Sequence, residues 1–384
     1  MAVTFMTGFE GQAAAIDGIT LSAATYGTGG GSGPRTGASA VRCFPGVGAA
    51  QYLTIATTGN YTHFGLYINF GPVSSGNRVV FGQIAAGTIN IRMDNAGTLA
   101  VYLNTSLIGT SAALSVSVWH WIGVRQVTGT SVAFLQIDGA DSVTGTATVS
   151  AISGVIGFSG TESSIGTCYI DDVIVDSAGF LAPSKVDIAL PTADSARTAG
   201  WVGGAGGTTN LWDAVNNTPP VGVADTGTDT SQIRNATAEA SASYDATLES
   251  YSTLGLGTGD TVLAVQNVIA TAAPVTTSSK QGLVGNVSNP AITTIALGAG
   301  GTAGAFWSGV AGGTFPTGWK ISFGTLTTSP SVAVGTAPVM RVTQVTSSTR
   351  IAMVTFMGLY VAWTPAVVRV PRNPGVNFQD PGFF

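Results

Sequence analysis

Short runs of Val, Ile, Thr and aromatic residues recur along the chain between clusters of Gly, Asn, Asp and Ser, and helical periodicity is almost absent. In the first half, residues 52–56, 63–70, 78–84, 89–93, 99–103, 119–126, 133–139 and 167–176 read as successive strands. The breakers Gly59-Asn60 and Ser75-Gly76-Asn77 fall where hairpin turns belong. In the second half the same pattern predicts strands at 260–269, 319–323, 339–345 and 350–363. The one helical candidate is 241–252, where Asp245 and Glu249 leave little apolar face, so one short helix or none is expected. The fold class is therefore all-β, of sandwich or barrel type.

After Asp176 the pattern gives way to a loop-rich stretch containing Pro183, Pro191, glycines within 203–207 and Pro219-Pro220. This places a boundary near Ala182, giving an N-terminal antiparallel sandwich over 1–182 and a second β-sandwich-like module over 183–365. The tail 366–384 holds three prolines among residues 371–384, which bars it from a central strand, and reads as an extended C-terminal arm able to dock on a neighbouring subunit.

Composition narrows the possibilities. With 384 residues, two domains are expected. A hydrophobic share of 45% rules out a disordered chain, whereas only 9% of residues are charged. Thr, Ser, Gly and Ala replace that charge, a surface suited to permanent assembly. The net charge is −5, the lysines are Lys185, Lys280 and Lys320, and the arginines are scattered, so no nucleic-acid footprint is expected. No apolar stretch is long enough for a spanning helix, and the first residues carry no basic leader, which predicts synthesis in the cytoplasm without membrane insertion.

Candidate chemistry is sparse. No G-x-x-x-x-G-K-[ST] phosphate loop is present, and the glycine-rich segments at 27–33 and 203–207 read as mobile loops. Glycoside hydrolysis needs two facing carboxylates, but no E-x-D-x-x-E pattern occurs; Asp171 and Asp172 are adjacent, so strand alternation predicts that they point to opposite faces. The two histidines, His63 and His120, lie in apolar strands and read as packed or hydrogen-bonded. Trp119 and Trp121 share a face by alternation, read here as core; these two with Trp201, Trp212, Trp307, Trp319 and Trp363 are the candidates for stacking on sugar rings. Cys43 and Cys168 read as buried free thiols, with pairing open if their strands are neighbours.

Four segments in order, Gly8-Phe9-Glu10-Gly11, Trp119-His120-Trp121-Ile122-Gly123-Val124, Leu135-Gln136-Ile137-Asp138-Gly139 and Tyr169-Ile170-Asp171-Asp172-Val173-Ile174-Val175, resemble the laminin-G or concanavalin A-like jelly rolls of tailed-bacteriophage virion proteins across residues 1–180. Residues 186–194, Trp201, 209–212 and the polar loop 225–229 look like a continuation seen in phage minor tail proteins. The resemblance implies a non-enzymatic virion structural protein, a minor tail, fibre or tail-tip component for assembly and host-surface adhesion. It implies partners among other virion proteins and copies of itself, a trimer among the options, with a host-surface glycan as a further one. A capsid decoration or head-fibre protein is the alternative, and a carbohydrate-binding adhesin or polysaccharide-degrading enzyme the alternative of another class. No cofactor is expected beyond a structural calcium, which such domains hold between an N-terminal Glu and an Asp of the closing strand. That assigns Glu10 with Asp171 or Asp172 as oxygen ligands. The competing reading is that the Asp pair caps a turn or bonds to backbone amides.

Overall fold

The computed structural model describes residues 3–12, 14, 17–27, 33–44, 50–55, 63–71, 78–158, 166–198, 200–203, 206–216, 233–236, 241–272, 283–288, 292–297, 320–344 and 353–366. The predicted C-terminal arm, Trp307, Trp319 and most of the glycine-rich segment at 27–33 lie outside them. The architecture is all-β, and every strand pair between named strands is antiparallel.

Among the described residues, four sheets account for the strands. The outer N-terminal sheet runs β10 (Ser106–Ala113), β9 (Thr98–Leu103), β8 (Ile89–Met93), β7 (Arg78–Phe81), β14 (Val155–Phe158), β5 (Gln51–Ile55) and β2 (Ile19–Ser22). The inner N-terminal sheet runs β13 (Ala140–Ala147), β12 (Gly129–Ile137), β11 (Trp119–Arg125), β6 (His63–Phe70), β15 (Cys168–Asp176), β4 (Ala40–Cys43) and β3 (Thr25–Gly27), with β1 (Val3–Thr7) also on β15. The inner C-terminal sheet runs β18 (Trp201–Gly203), β19 (Ile233–Asn235), β27 (Met353–Thr364), β21 (Thr261–Ala272) and β24 (Lys320–Phe323); β16 (Lys185–Ala189) pairs with β27 and β25 (Thr327–Thr328) with β21. The outer C-terminal sheet runs β17 (Pro191–Arg197), β20 (Ser243–Leu248), β26 (Val339–Gln344), β22 (Leu283–Ser288) and β23 (Ile292–Leu297).

Three apolar layers lie between these sheets. Phe64, Leu66, Ile68 and Phe70 of β6 pack with Ile89, Ile91, Val101 and Ile156 between the two N-terminal sheets. A void of about 10 Å³ beside Leu66, Val80 and Leu99 is too small for a ligand. Between the two C-terminal sheets, Tyr244, Leu248, Met340 and Val342 meet Val265, Ile269, Leu359 and Trp363. The third layer joins the halves: Met6, Tyr67, Trp119, Trp121 and Ile174 pack on Val186, Leu263, Val268, Phe356 and Tyr360. The inner sheets are thus covered on both faces, which is why β6 is buried along its whole length and reads as a near-continuous apolar run.

Trp119 and Trp121 are buried, as the core reading requires, but their core is this junction between the halves and not the interior of the N-terminal sandwich. Gly65 makes room for Trp121: a Cβ there would lie 2.3 Å from the indole. The Trp121 indole N–H donates to the Leu181 carbonyl at 3.2 Å, and Tyr67 meets the ring edge-on at 5.1 Å.

The helical candidate 241–252 is corrected: β20 takes Ser243–Leu248. Its alternation places Tyr244, Ala246 and Leu248 in the core, and Asp245 on the other face takes a bidentate contact from Arg341 at 2.7 and 2.6 Å. The helical turn among the described residues is a short 3-10 element at Leu211–Ala214, where the Asp194 carboxylate accepts the Leu211 and Trp212 amides.

Candidate functional site

β15 changes partners halfway along. Residues 168–170 pair with β4 and residues 173–176 with β1, so Asp171 and Asp172 fall in the gap between the two partners. On the other side, the pairing of β15 with β6 shifts register between Asp171 and Ile174, and Asp172 takes a left-handed φ of 51°. This bulge overturns the expectation that the two carboxylates face opposite sides, because an extra residue breaks the two-residue alternation. Both acids are fully buried and both reach Thr36.

The gap is filled by the segment 35–39, which leads into β4. Its backbone amides are satisfied by acidic side chains in place of a neighbouring strand. Arg35 and Thr36 N–H donate to one Asp171 oxygen at 2.8 and 3.2 Å, and Ala38 and Ser39 N–H donate to the two Glu10 oxygens at 2.8 and 3.2 Å. The Thr36 hydroxyl donates to Asp172 at 2.8 Å. The other Asp171 oxygen accepts the Asp172 amide at 2.9 Å, and the other Asp172 oxygen accepts Val186 N–H at 2.6 Å. That last bond crosses from the N-terminal half to β16 of the C-terminal half.

Glu10 reaches the cluster because the chain turns sharply after β1. Phe9 sits at a φ of 64°, which sends its ring into the N-terminal core and the next side chain toward the junction. Gly8 admits β16 against this turn, since a Cβ there would stand 2.2 Å from the Val186 carbonyl oxygen.

Glu10 is pushed up to about 9, chiefly by burial, with Ala38 N–H pulling the other way and Asp187 adding repulsion. Burial, then Asp172 and Glu10, holds Asp171 well above the usual carboxylate range. Asp172 rises to about 6 by burial, offset by the Val186 amide and the Thr36 hydroxyl. Asp187 on β16 rises to about 7, again by burial. The cations of the cluster are Lys185, lowered by burial and then by Arg35, and Arg35 itself, whose guanidinium lies 4.4 Å over the Tyr67 ring and donates to its hydroxyl at 3.2 Å. A second polar tie lies nearby: Asp17 accepts the Gly11 amide at 3.2 Å, the Tyr26 hydroxyl at 2.5 Å and the Tyr360 hydroxyl from β27.

Glu10, Asp171 and Asp172 meet at the 35–39 segment, joined by Arg35, Thr36, Lys185 and Asp187, which the sequence pattern does not single out. As ligands for calcium they fit poorly: all six carboxylate oxygens of the three acids already accept a hydrogen bond from the protein. Among the described residues no group of three or more His, Cys, Asp or Glu is arranged to hold a metal ion. What this arrangement does is bind backbone to backbone through side chains, locking a loop, a bulge and a strand of the other half together.

His120 lies 2.9 Å from Asp138 and 3.2 Å from the Ser115 carbonyl, and His63 packs edge-on against Phe180 at 4.9 Å. Trp201 and Trp363 are buried in the C-terminal core and Trp212 is half-buried. Cys43 and Cys168 are buried free thiols on neighbouring strands. Among the described residues, no helix is long and apolar enough to cross a membrane.

No family model matches the chain, and no curated protein does. Among solved structures, the chain is similar to Trypanosoma rangeli sialidase, with 11% identity over 37% of this chain and 26% of that one and a TM-score of 0.29. It is similar to Cip1, a cellulose-induced protein, with 12% identity over 47% of this chain and all of that one and a TM-score of 0.35. It is also similar to a carbohydrate esterase of the Shiga toxin-encoding bacteriophage phi24B, with 18% identity over 46% of this chain and 99% of that one and a TM-score of 0.29. The chain thus spans about a quarter of the length of the sialidase it matches.

Proposed function

We propose that this chain is a non-enzymatic structural protein of a bacteriophage particle, a minor tail, fibre or tail-tip component that assembles with copies of itself and with other virion proteins. The observation that carries the reading is the junction. Trp119, Trp121, Phe356 and Tyr360 share an apolar layer, and Asp172 and Asp17 bond across it, so the two sandwiches form one stiff body. A body of fixed shape with few surface charges suits repeated docking in a permanent lattice or fibre, where many weak contacts add up to firm attachment. A host-surface glycan is the contact such a component would make.

The test is to purify the particles whose genome encodes this chain, identify their proteins by mass spectrometry and locate the chain with labelled antibody by electron microscopy. Label on the tail or its tip is the expected result. Label on the head would replace the tail reading by that of a decoration protein. Absence from purified particles would overturn the structural reading and favour a free carbohydrate-active protein, to be sought with a glycan array.

A further inference from the structure

We infer that Cys43 and Cys168 are a cross-strand dithiol that closes into an intramolecular disulfide on contact with a low-molecular-weight disulfide, stapling β4 to β15. The two residues are directly opposed in the antiparallel β4–β15 pair, and both face the core of the N-terminal sandwich. Directly opposed antiparallel residues stand about 4.5–5.5 Å apart at Cα, within the roughly 4.4–6.8 Å that a disulfide spans, and their side chains leave the same face of the sheet. The backbone therefore needs no rearrangement to bring the sulfurs together. Both thiols are reduced here and fully buried.

Access comes from the sheet edge. Among the described residues, β3, a three-residue strand at the end of the sheet, is what lies beyond β4, and Phe44, directly after Cys43, is exposed. Fraying of β3 and β4 uncovers Cys43 without opening the core around β6. The Cys43 thiolate then attacks one sulfur of the external disulfide and releases one small thiol. The Cys168 thiolate attacks Cys43 in the mixed disulfide and releases the second. The cysteines lose two electrons, the external disulfide gains two, and the two thiol protons end on the two released thiols. Burial, which pushes Cys43 up to about 12, keeps the pair slow to react until β4 opens.

The bond would matter for the acidic cluster. Cys43 closes the strand that the 35–39 segment enters, and Cys168 lies on β15 just before Asp171, so the staple fixes the amides of that segment against the carboxylates they serve. The inference stands independently of assembly into a particle.

The full chain is incubated with oxidised glutathione at pH 8, with and without low urea to populate edge opening, then denatured, alkylated and digested without reduction for mass spectrometry. The expected result is loss of both alkylated cysteines, a linked Cys43–Cys168 peptide in monomeric protein, and a Tm raised by roughly 5 °C or more. Reduction restores both alkylations and the lower Tm. Cys168→Ala is expected to stop at the glutathione mixed disulfide on Cys43 and to show no such rise. Persistent alkylation of both cysteines in the wild-type chain under opening conditions, or cross-links only between chains, would overturn the inference, and neither readout depends on the variant folding.

Discussion

At the scale of single residues, Asn267 is the clearest departure from a well-satisfied interior. It is fully buried on β21 between Val265 and Ile269, whose side chains enter the C-terminal core, and among the described residues neither its side-chain nitrogen nor its oxygen has a hydrogen-bond partner. An unpaired buried amide costs on the order of 1–3 kcal/mol. Asn267→Leu, of similar volume, is therefore expected to raise the unfolding free energy in urea by about that amount; a loss of stability would mean that the amide is bonded in solution. Gly65 gives the opposite case. A methyl there collides with the Trp121 ring, so Gly65→Ala is expected to destabilise by about 1–3 kcal/mol and to shift the tryptophan fluorescence, because the indole is displaced from its place in the junction.

At the scale of elements, β15 organises the acidic cluster because it changes partner at the point where it bulges. Removing one hydrogen bond there leaves a buried carboxylate oxygen unpaired. Thr36→Val keeps the shape but deletes the hydroxyl bonded to Asp172, with an expected loss of about 1–3 kcal/mol in chemical denaturation, while Thr36→Ser retains most of the stability. Equal losses in the two variants would assign the effect to the threonine methyl group instead. The strands themselves are legible in sequence wherever apolar runs are long: 63–70, 89–93 and 119–126 correspond to β6, β8 and β11 within a residue. Strands such as β10, β13 and β17 escape because they lie on sheet edges with mostly exposed side chains, so that Ser, Thr, Gly and Ala dominate them. The resemblance implies Glu10 beside Asp171 or Asp172, whereas the bulge that sets their geometry is not legible in the sequence. A bulge depends on which strands β15 meets, and the contributions of Arg35, Thr36 and Asp187 come through pairings between residues far apart in the chain.

At the scale of the whole molecule, the junction joins its two halves through carboxyl groups that resist ionisation, and this gives folding a pH dependence of definite sign. Glu10 moves from 4.5 in the unfolded chain to about 9 when folded, so the folded state keeps a proton that the unfolded state releases. Its stabilising contribution is complete below about 4.5 and is lost as pH rises toward 9. Asp172 and Asp187 act in the same direction over lower ranges, ending at about 6 and about 7. His63, lowered to about 4 by burial, acts in the opposite direction, adding stability as pH rises from 4 to 6.5, and is spent above that. His120, raised against its burial by its hydrogen bond to Asp138, loses its contribution as pH rises above 6.5. Between pH 7.5 and 8.5 Glu10 lowers the unfolding free energy by about 1 kcal/mol per pH unit, and Asp171, held well above the usual carboxylate range by burial, acts in the same direction. Glu10→Gln is expected to reduce the slope by about 1 kcal/mol per pH unit while leaving the pH 5 stability close to wild type. A parallel slope in the variant would show that Glu10 is ionised in the folded state. Ionisation of a group so deeply buried would call for a compensating cation, so the same melts repeated with calcium and with a chelator decide between the two arrangements. Hydrogen bonding alone predicts superimposable curves, and a calcium-dependent rise in Tm that Glu10→Gln abolishes would establish the ion as part of the junction.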